Sequence, residues 1–267
     1  MNDTPGALAP NLPHPPFDVV VLGDGRVGGS LAAALERAGH RILARLGRAD
    51  DPSPIADADV VAIAVPDDAL DAATAVVARS ARPGAVVFHT CGIAGIEPLR
   101  DCGSHVAALH PAIPVPTPQT SFVGAPFGVT CASGLEQWCD ALVRSIGGVL
   151  HPIPAEQRVL YHAALVMASN FAVALAGDAA DLVGEHELLV PLLRATVENI
   201  ARLGPDAALT GPIVRGDAGT VRAHLAALPA RLVEPYVVMA RRALARAELT
   251  EAQAAAIEAA LAEALVR

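Results

Sequence analysis

Val19-Val20-Val21-Leu22-Gly23-Asp24-Gly25-Arg26-Val27-Gly28 decides the fold. Four apolar strand formers run into a glycine, and the six residues from Gly23 fit G-x-G-x-x-G. A helical stretch follows over residues 27–38. In such a turn the first glycine allows the tight bend, the second lets backbone approach a pyrophosphate, and the third lets helix and strand pack closely. The free N–H groups of the helix N-terminus then face the phosphates. Alone, the motif also fits glycines that merely tighten a turn. Its place between a strand and a helix favours a dinucleotide site built from Gly23, Gly25, Arg26, Val27 and Gly28.

Working outward, short apolar runs alternate with helical stretches as far as residue 153. Strands are expected at 41–44, 59–65, 85–89 and 106–109, with a helix over 67–79. Runs apolar on both faces indicate a parallel sheet covered on both sides. Residues 127–132 and 148–153 read as added edge strands flanking a helix at 135–145. Beyond Pro154 only helical patterns remain, at 156–176, 188–203, 218–228, 231–246 and 251–266. Thr250, with Gln253 three residues on, is a near capping box for the last of them. The fold class is therefore α/β: a Rossmann domain with a mostly parallel sheet over 17–153, then an all-helical domain over 154–267. The Pro-rich residues 1–16 read as a loose tail.

Of the 267 residues, 53% are hydrophobic and 18% charged, enough for sizeable cores. The net charge of -9 argues against a nucleic-acid surface, which normally needs an excess of basic residues on one face. All 19 basic residues are arginine, so no lysine is present to act as a catalyst. Cys91, Cys102, Cys131 and Cys139 form no CxxC pair and read as reduced, buried small hydrophobes. The N-terminus lacks the basic start and apolar run of a signal peptide. Residues 159–177 are apolar but carry Tyr161, His162, Ser169 and Asn170, which predicts a buried helix and not a membrane span. A cytoplasmic protein is expected. Adjacent Glu185-His186-Glu187 do not face one point, so no metal is expected.

At the end of the second strand an NAD site usually presents an acid to the ribose 2′-OH. Here Ala44-Arg45-Leu46-Gly47-Arg48 presents two arginines. Guanidinium groups suit a 2′-phosphate, so Arg45 and Arg48 favour NADP(H), with NAD(H) still open. The competing reading is two solvated surface residues. Val65 and Pro66 end the third strand at the sheet's carboxyl edge, where the backbone should pass the cofactor; a simple turn explains them equally well.

Tyr161-His162-Ala163-Ala164 running to Ser169-Asn170, and Ala208-Leu209-Thr210-Gly211-Pro212-Ile213-Val214-Arg215-Gly216-Asp217, carry a family resemblance. Val65-Pro66-Asp67, His89-Thr90-Cys91-Gly92 and Leu109-His110-Pro111 support it. The chain resembles bacterial Rossmann-like proteins whose C-terminal domain is a domain of unknown function, often labelled NADP-dependent oxidoreductases or ketopantoate-reductase-like. The resemblance implies a helical domain of the 6-phosphogluconate dehydrogenase kind, which commonly pairs into homodimers. It departs from ketopantoate reductases in one respect. Their catalytic lysine stands a helical turn before an asparagine, and if that asparagine is Asn170 the position holds Val166. Prephenate dehydrogenases offer a nearer local likeness, a His-Pro after a later strand, as in His110-Pro111 with Thr90 or Cys91 upstream.

His110 should stand at the carboxyl end of a strand. There an imidazole of ordinary pKa suits a proton donor, and reduction should fade as pH rises through that pKa. A strand-end histidine bonded to backbone is the alternative. His162 and Asn170, eight residues apart and so roughly 12 Å along a helix, are expected with Ser169 to line one cleft wall. Equally, each would simply find a backbone partner. Thr210, Arg215 and Asp217 lie in a Gly/Pro-punctuated loop. Arg215 suits a substrate carboxylate and Asp217 a helix cap, with a structural Arg–Asp pair as the alternative. The whole predicts an NADP(H)-dependent oxidoreductase acting on a small carbonyl or hydroxy compound, a 2-oxo or hydroxy acid among them. A non-catalytic dinucleotide-binding or sensing protein is the other reading.

Overall fold

The computed structural model describes residues 12–266. The tail expected over 1–16 thus lies mostly outside the described residues. The chain divides into two compact units, the first ending at Asn170 and the second beginning at Phe171.

In the first unit seven strands form one sheet. They are β1 (Asp18–Leu22), β2 (Arg41–Leu46), β3 (Val60–Ile63), β4 (Val86–His89), β5 (Val106–Pro111), β6 (Pro126–Cys131) and β7 (Val149–Pro152). Their order is β2-β1-β3-β4-β5-β6-β7. All neighbours are parallel except β5 and β6, where His110 pairs with Gly128. β6 is therefore an interior strand and not the edge expected of it. Helices α1 (Arg26–Arg37), α2 (Leu70–Ser80) and α3 (Glu136–Ser145) cover the sheet.

The apolar strands bury both faces. Val19, Val21, Val60, Ala62 and Phe88 join a cluster with Leu31, Leu35 and Trp138. Val20, Leu22, Val61, Ile63 and Val87 join another with Leu70, Val77 and Leu99. Each fully buried valine contributes about 1.5 to 3 kcal/mol relative to exposure, which is why continuous valine runs settle in the middle of the sheet.

The helix expected at 156–176 is broken. The first unit ends with α4 (Arg158–Ala168), and α5 (Asn170–Val183) follows after Ser169, whose ψ is -70°. The domain boundary expected at 153/154 also moves, to Asn170. The first turn of α4 is tied back to distant parts of the first unit through Arg158, whose guanidinium reaches Cys91 and Thr130.

The second unit holds the rest of α5, then α6 (Leu189–Leu203), a short α7 (Pro205–Ala208), α8 (Ala218–Ala227), α9 (Ala230–Leu244) and α10 (Glu251–Leu265). Val221, Leu225, Val237, Ile257 and Leu261 pack α8, α9 and α10 into one core. The capping box at Thr250 and Gln253 forms in full.

Residues Ala155–Val183 form a helical stretch long and apolar enough to cross a membrane, with a mean hydropathy of 1.7. The expectation that it is a buried helix fails: Leu160 is 74% exposed and Val173 71%. Helices α5 and α6 bury no residue at all. Most of their apolar side chains stand exposed, Val173, Leu192 and Val197 among them. Polar ties hold both ends of the stretch. Arg158 bonds to β6 at its start, and Asp178 and Asp181 pair with Arg231 near its end.

Candidate functional site

The site grows from the carboxyl ends of the parallel strands. Gly23 adopts φ +117°, a conformation that side chains resist, and its N–H donates to Leu46 O at 2.7 Å. A Cβ at Gly23 would lie 2.2 Å from Ala64 O, and one at Gly28 would lie 1.9 Å from Gly23 O. Both glycines are therefore required by packing between β1, α1 and β3. Gly25 differs, since a Cβ there would meet nothing within 4 Å. That open backbone at the N-terminus of α1 is the cradle a pyrophosphate needs, so the residues present fit a dinucleotide.

A cleft of about 710 Å³ runs along these strand ends. Gly25, Arg26 and Val27 line one end, with Ala64, Val65, Pro66 and Asp67 from the turn after β3. Thr90, Gly92, His110 and His162 line the other, beside a wall running from Pro111 to Pro116. The cleft thus spans the point where the chain, having placed β2 on one side of β1, crosses to β3 on the other, the usual ligand position in open α/β sheets.

At the far end His110 sits between two side chains of α4. Its Nδ1 is 2.9 Å from Tyr161 Oη, and its ring centroid is 5.7 Å from those of both Tyr161 and His162. Two glycines make the room. A Cβ at Gly92 would stand 2.4 Å from His162 Cδ2 and 3.0 Å from His110 Nε2, and one at Gly128 would stand 2.4 Å from Tyr161 Oη. Below them Arg158 donates to Cys91 O at 2.7 Å and Thr130 Oγ1 at 3.1 Å.

Burial lowers the His110 pKa to about 4, with the Arg158 charge and His162 adding to the effect and Asp67 opposing it. The imidazolium donor expected from an ordinary pKa is thus replaced by a neutral ring at pH 7. A neutral imidazole still offers one N–H and one lone pair. Reduction should therefore not fade through a histidine pKa near neutrality. Burial likewise raises Tyr161, leaving it a phenol.

Other expected residues do not line the cleft. Ser169 is half-buried and Asn170 exposed, and neither lines the cleft. Arg45 is exposed, its guanidinium 3.2 Å from Asp24 O, and Arg48 is exposed. In the second unit Asp217 takes the capping role, accepting from Thr220 N at 3.0 Å and Thr220 Oγ1 at 2.6 Å. Arg215 and Thr210 are exposed. Sequence reasoning had not singled out Arg158, Tyr161, Gly92 or Gly128 as site residues. One signal was available: Arg158 and Tyr161 are polar and three residues apart on a largely apolar helix, hence on one face.

Residues 3–111 match the model of a Rossmann-like domain, and residues 125–243 match a domain of unknown function (DUF2520). A comparison with curated proteins gave no match. Among solved structures, the chain is similar to a "putative NADP oxidoreductase" from Bacteroides fragilis (TM-score 0.70, 22% identity, 91% of this chain and 98% of that one). It is also similar to a protein from Thermotoga maritima (TM-score 0.58, 22% identity, 93% and 100%). A third likeness is to pyrroline carboxylate reductase from Plasmodium falciparum with NADP bound (TM-score 0.56, 14% identity, 94% and 97%). At these identities the likeness is one of fold.

Proposed function

From a chain that joins a Rossmann-like domain to a domain of unknown function (DUF2520), we infer an NADP(H)-dependent oxidoreductase acting on a small carbonyl or hydroxy compound. One observation carries the reading. A single cleft leads from the open backbone of Gly25 to the half-buried His110–His162 pair. A dinucleotide in that cleft would supply the hydride. Gly25 and the N-terminus of α1 would hold its pyrophosphate, with Arg26 beside them. Val65 and Pro66 would flank it where β3 ends, and the neutral His110 ring would face the substrate oxygen. His162 converges on the same space and would position the substrate.

Arg45 and Arg48 would bind the 2′-phosphate of NADP(H). NADPH is expected to bind at least tenfold more tightly than NADH, the worth of about 1.4 kcal/mol of charge-assisted contact. The double variant Arg45→Ala/Arg48→Ala should bring the two affinities together, as measured by fluorescence titration. Equal affinities in the parent protein would remove the 2′-phosphate role. Turnover is tested by NADPH oxidation against a panel of carbonyl compounds that includes 2-oxo acids. Tight NADPH binding with no turnover across the panel would favour a binding or sensing protein.

The exposed apolar faces of α5 and α6 support a homodimer formed through the helical unit. Light scattering at micromolar concentration should give twice the chain mass of 27.2 kDa. A stable monomer would leave those faces unexplained and overturn the dimer.

A further inference from the structure

Arg158 has no evident structural justification for its charge. Its side chain is 0% exposed, yet among the described residues no carboxylate pairs with it. Its bonds go to neutral oxygens of Cys91, Thr130 and Gly128, and its Nε has no partner. A buried cation without an anion is costly, and holding α4 to the sheet needs only a neutral donor. The guanidinium carbon lies 6.0 Å from the Tyr161 ring centroid. Tyr161 Oη in turn meets His110 Nδ1 at 2.9 Å. The chain of contacts runs from a buried positive charge, through a phenol and an imidazole, to the cleft.

Resting on the oxidoreductase reading above, we propose that Tyr161 and His110 form a proton relay to the substrate oxygen, with Arg158 holding the negative charge the relay leaves on Tyr161. Before reaction Tyr161 donates its O–H to His110 Nδ1, and His110 presents Nε2–H to the substrate carbonyl oxygen. As the carbonyl carbon accepts a hydride from a reduced nicotinamide dinucleotide, the carbonyl π pair moves to oxygen. That oxygen takes the Nε2 proton. The N–H pair stays on Nε2, Nδ1 takes the phenolic proton, and the ring ends neutral in its other tautomer. The phenolate left on Tyr161 has the Arg158 guanidinium carbon over its ring, 6.0 Å from the centroid. The relay resets when solvent protonates Nε2 and Nδ1 returns its proton to Tyr161.

This route needs no imidazolium, which suits a ring whose surroundings keep it neutral. The charged or titratable groups around His110 are Arg158, Tyr161 and His162 on α4, His89 on β4, and Asp67 after β3. It also needs no lysine. Gly128 belongs to the device as well, because a side chain there would displace Tyr161 Oη from His110.

The test uses the full-length protein. Nitrogen NMR of histidine-labelled protein, with His110 assigned by its loss in His110→Asn, should show the Nε2–H tautomer at pH 7; the Nδ1–H tautomer would overturn the relay. Tyr161 and Tyr236 are the only tyrosines, so a Tyr236→Phe background isolates the Tyr161 titration by tyrosinate absorbance. Adding Arg158→Gln should raise that pKa by about one unit or more. An unchanged or lower value would overturn the role given to Arg158. If Arg158→Gln does not fold, the tautomer measurement and Tyr161→Phe still decide. On any carbonyl found by the NADPH oxidation panel, Tyr161→Phe should lower kcat tenfold or more and leave NADPH affinity at the parental value. Parental kcat in that variant would overturn the relay and leave the oxidoreductase reading standing. A panel without turnover would strike that reading, while the two spectroscopic arms still judge the hydrogen-bond chain.

Discussion

Replacing His110 by asparagine is expected to lower turnover by about two to four orders of magnitude, the usual worth of a positioned proton donor. NADPH affinity should stay within about threefold of the parent, because His110 stands at the end of the cleft away from the glycine turn. Asparagine keeps a polar group of similar reach but cannot pass a proton between two ring nitrogens. The pH profile adds a second check. With the ring pKa lowered to about 4, the neutral form is present throughout the range from pH 6 to 8. No loss of rate should therefore arise from His110 as pH rises through neutrality. A loss is expected only as pH falls toward 4, where the ring takes a second proton and Nδ1 can no longer accept from Tyr161. Stopped-flow oxidation of NADPH would measure both. Parental turnover in His110→Asn would move the chemistry to His162 or away from the histidines altogether.

The second large effect separates two glycines of one motif. A methyl group at Gly28 would lie 1.9 Å from the Gly23 carbonyl oxygen, and the helical backbone there cannot yield without shifting α1 from β1. Gly28→Ala should therefore destabilise the protein by about 3 kcal/mol and lower its melting temperature by several degrees. A methyl group at Gly25 would meet nothing within 4 Å, and the residue's φ of -73° suits alanine. Gly25→Ala should melt with the parent protein but bind NADPH on the order of a hundredfold more weakly, because the methyl group occupies the pyrophosphate approach. Thermal melts alongside NADPH titrations separate the two losses. Parental NADPH affinity in Gly25→Ala would show that the turn closes the fold and holds no phosphate.

The parts of this architecture visible in the sequence are those fixed by neighbours along the chain. The Val19–Leu22 run, the Gly23–Gly28 turn and α1 declare themselves through local propensity, and His110 follows from its place at the end of an apolar run. The capping box at Thr250 is equally local. What the sequence hid depends on contacts between distant residues. The assignment of α4 to the first unit rests on Arg158 reaching Cys91, 67 positions away. The lowered pKa of His110 rests on burial and on charges brought in by α4, so an ordinary histidine pKa was the only value available beforehand. Gly92 and Gly128 look like ordinary loop and strand glycines until the side chains of α4 are seen filling the space beside them. The expectation of a buried helix over 159–177 failed because apolar composition cannot say whether the cover comes from the same chain. Asn170 begins a new helix, because the helical stretch breaks at Ser169, a break that apolar periodicity does not announce.

The central claim is that one cleft holds the dinucleotide with its reactive end against His110. A crystal structure of the protein with NADPH tests it most directly. The pyrophosphate is expected at the Gly25 backbone, the 2′-phosphate beside Arg45 and Arg48, and the nicotinamide ring between Val65-Pro66 and the His110–His162 pair. A dinucleotide bound elsewhere, or bound at the glycine turn with its nicotinamide directed away from His110, would contradict the account.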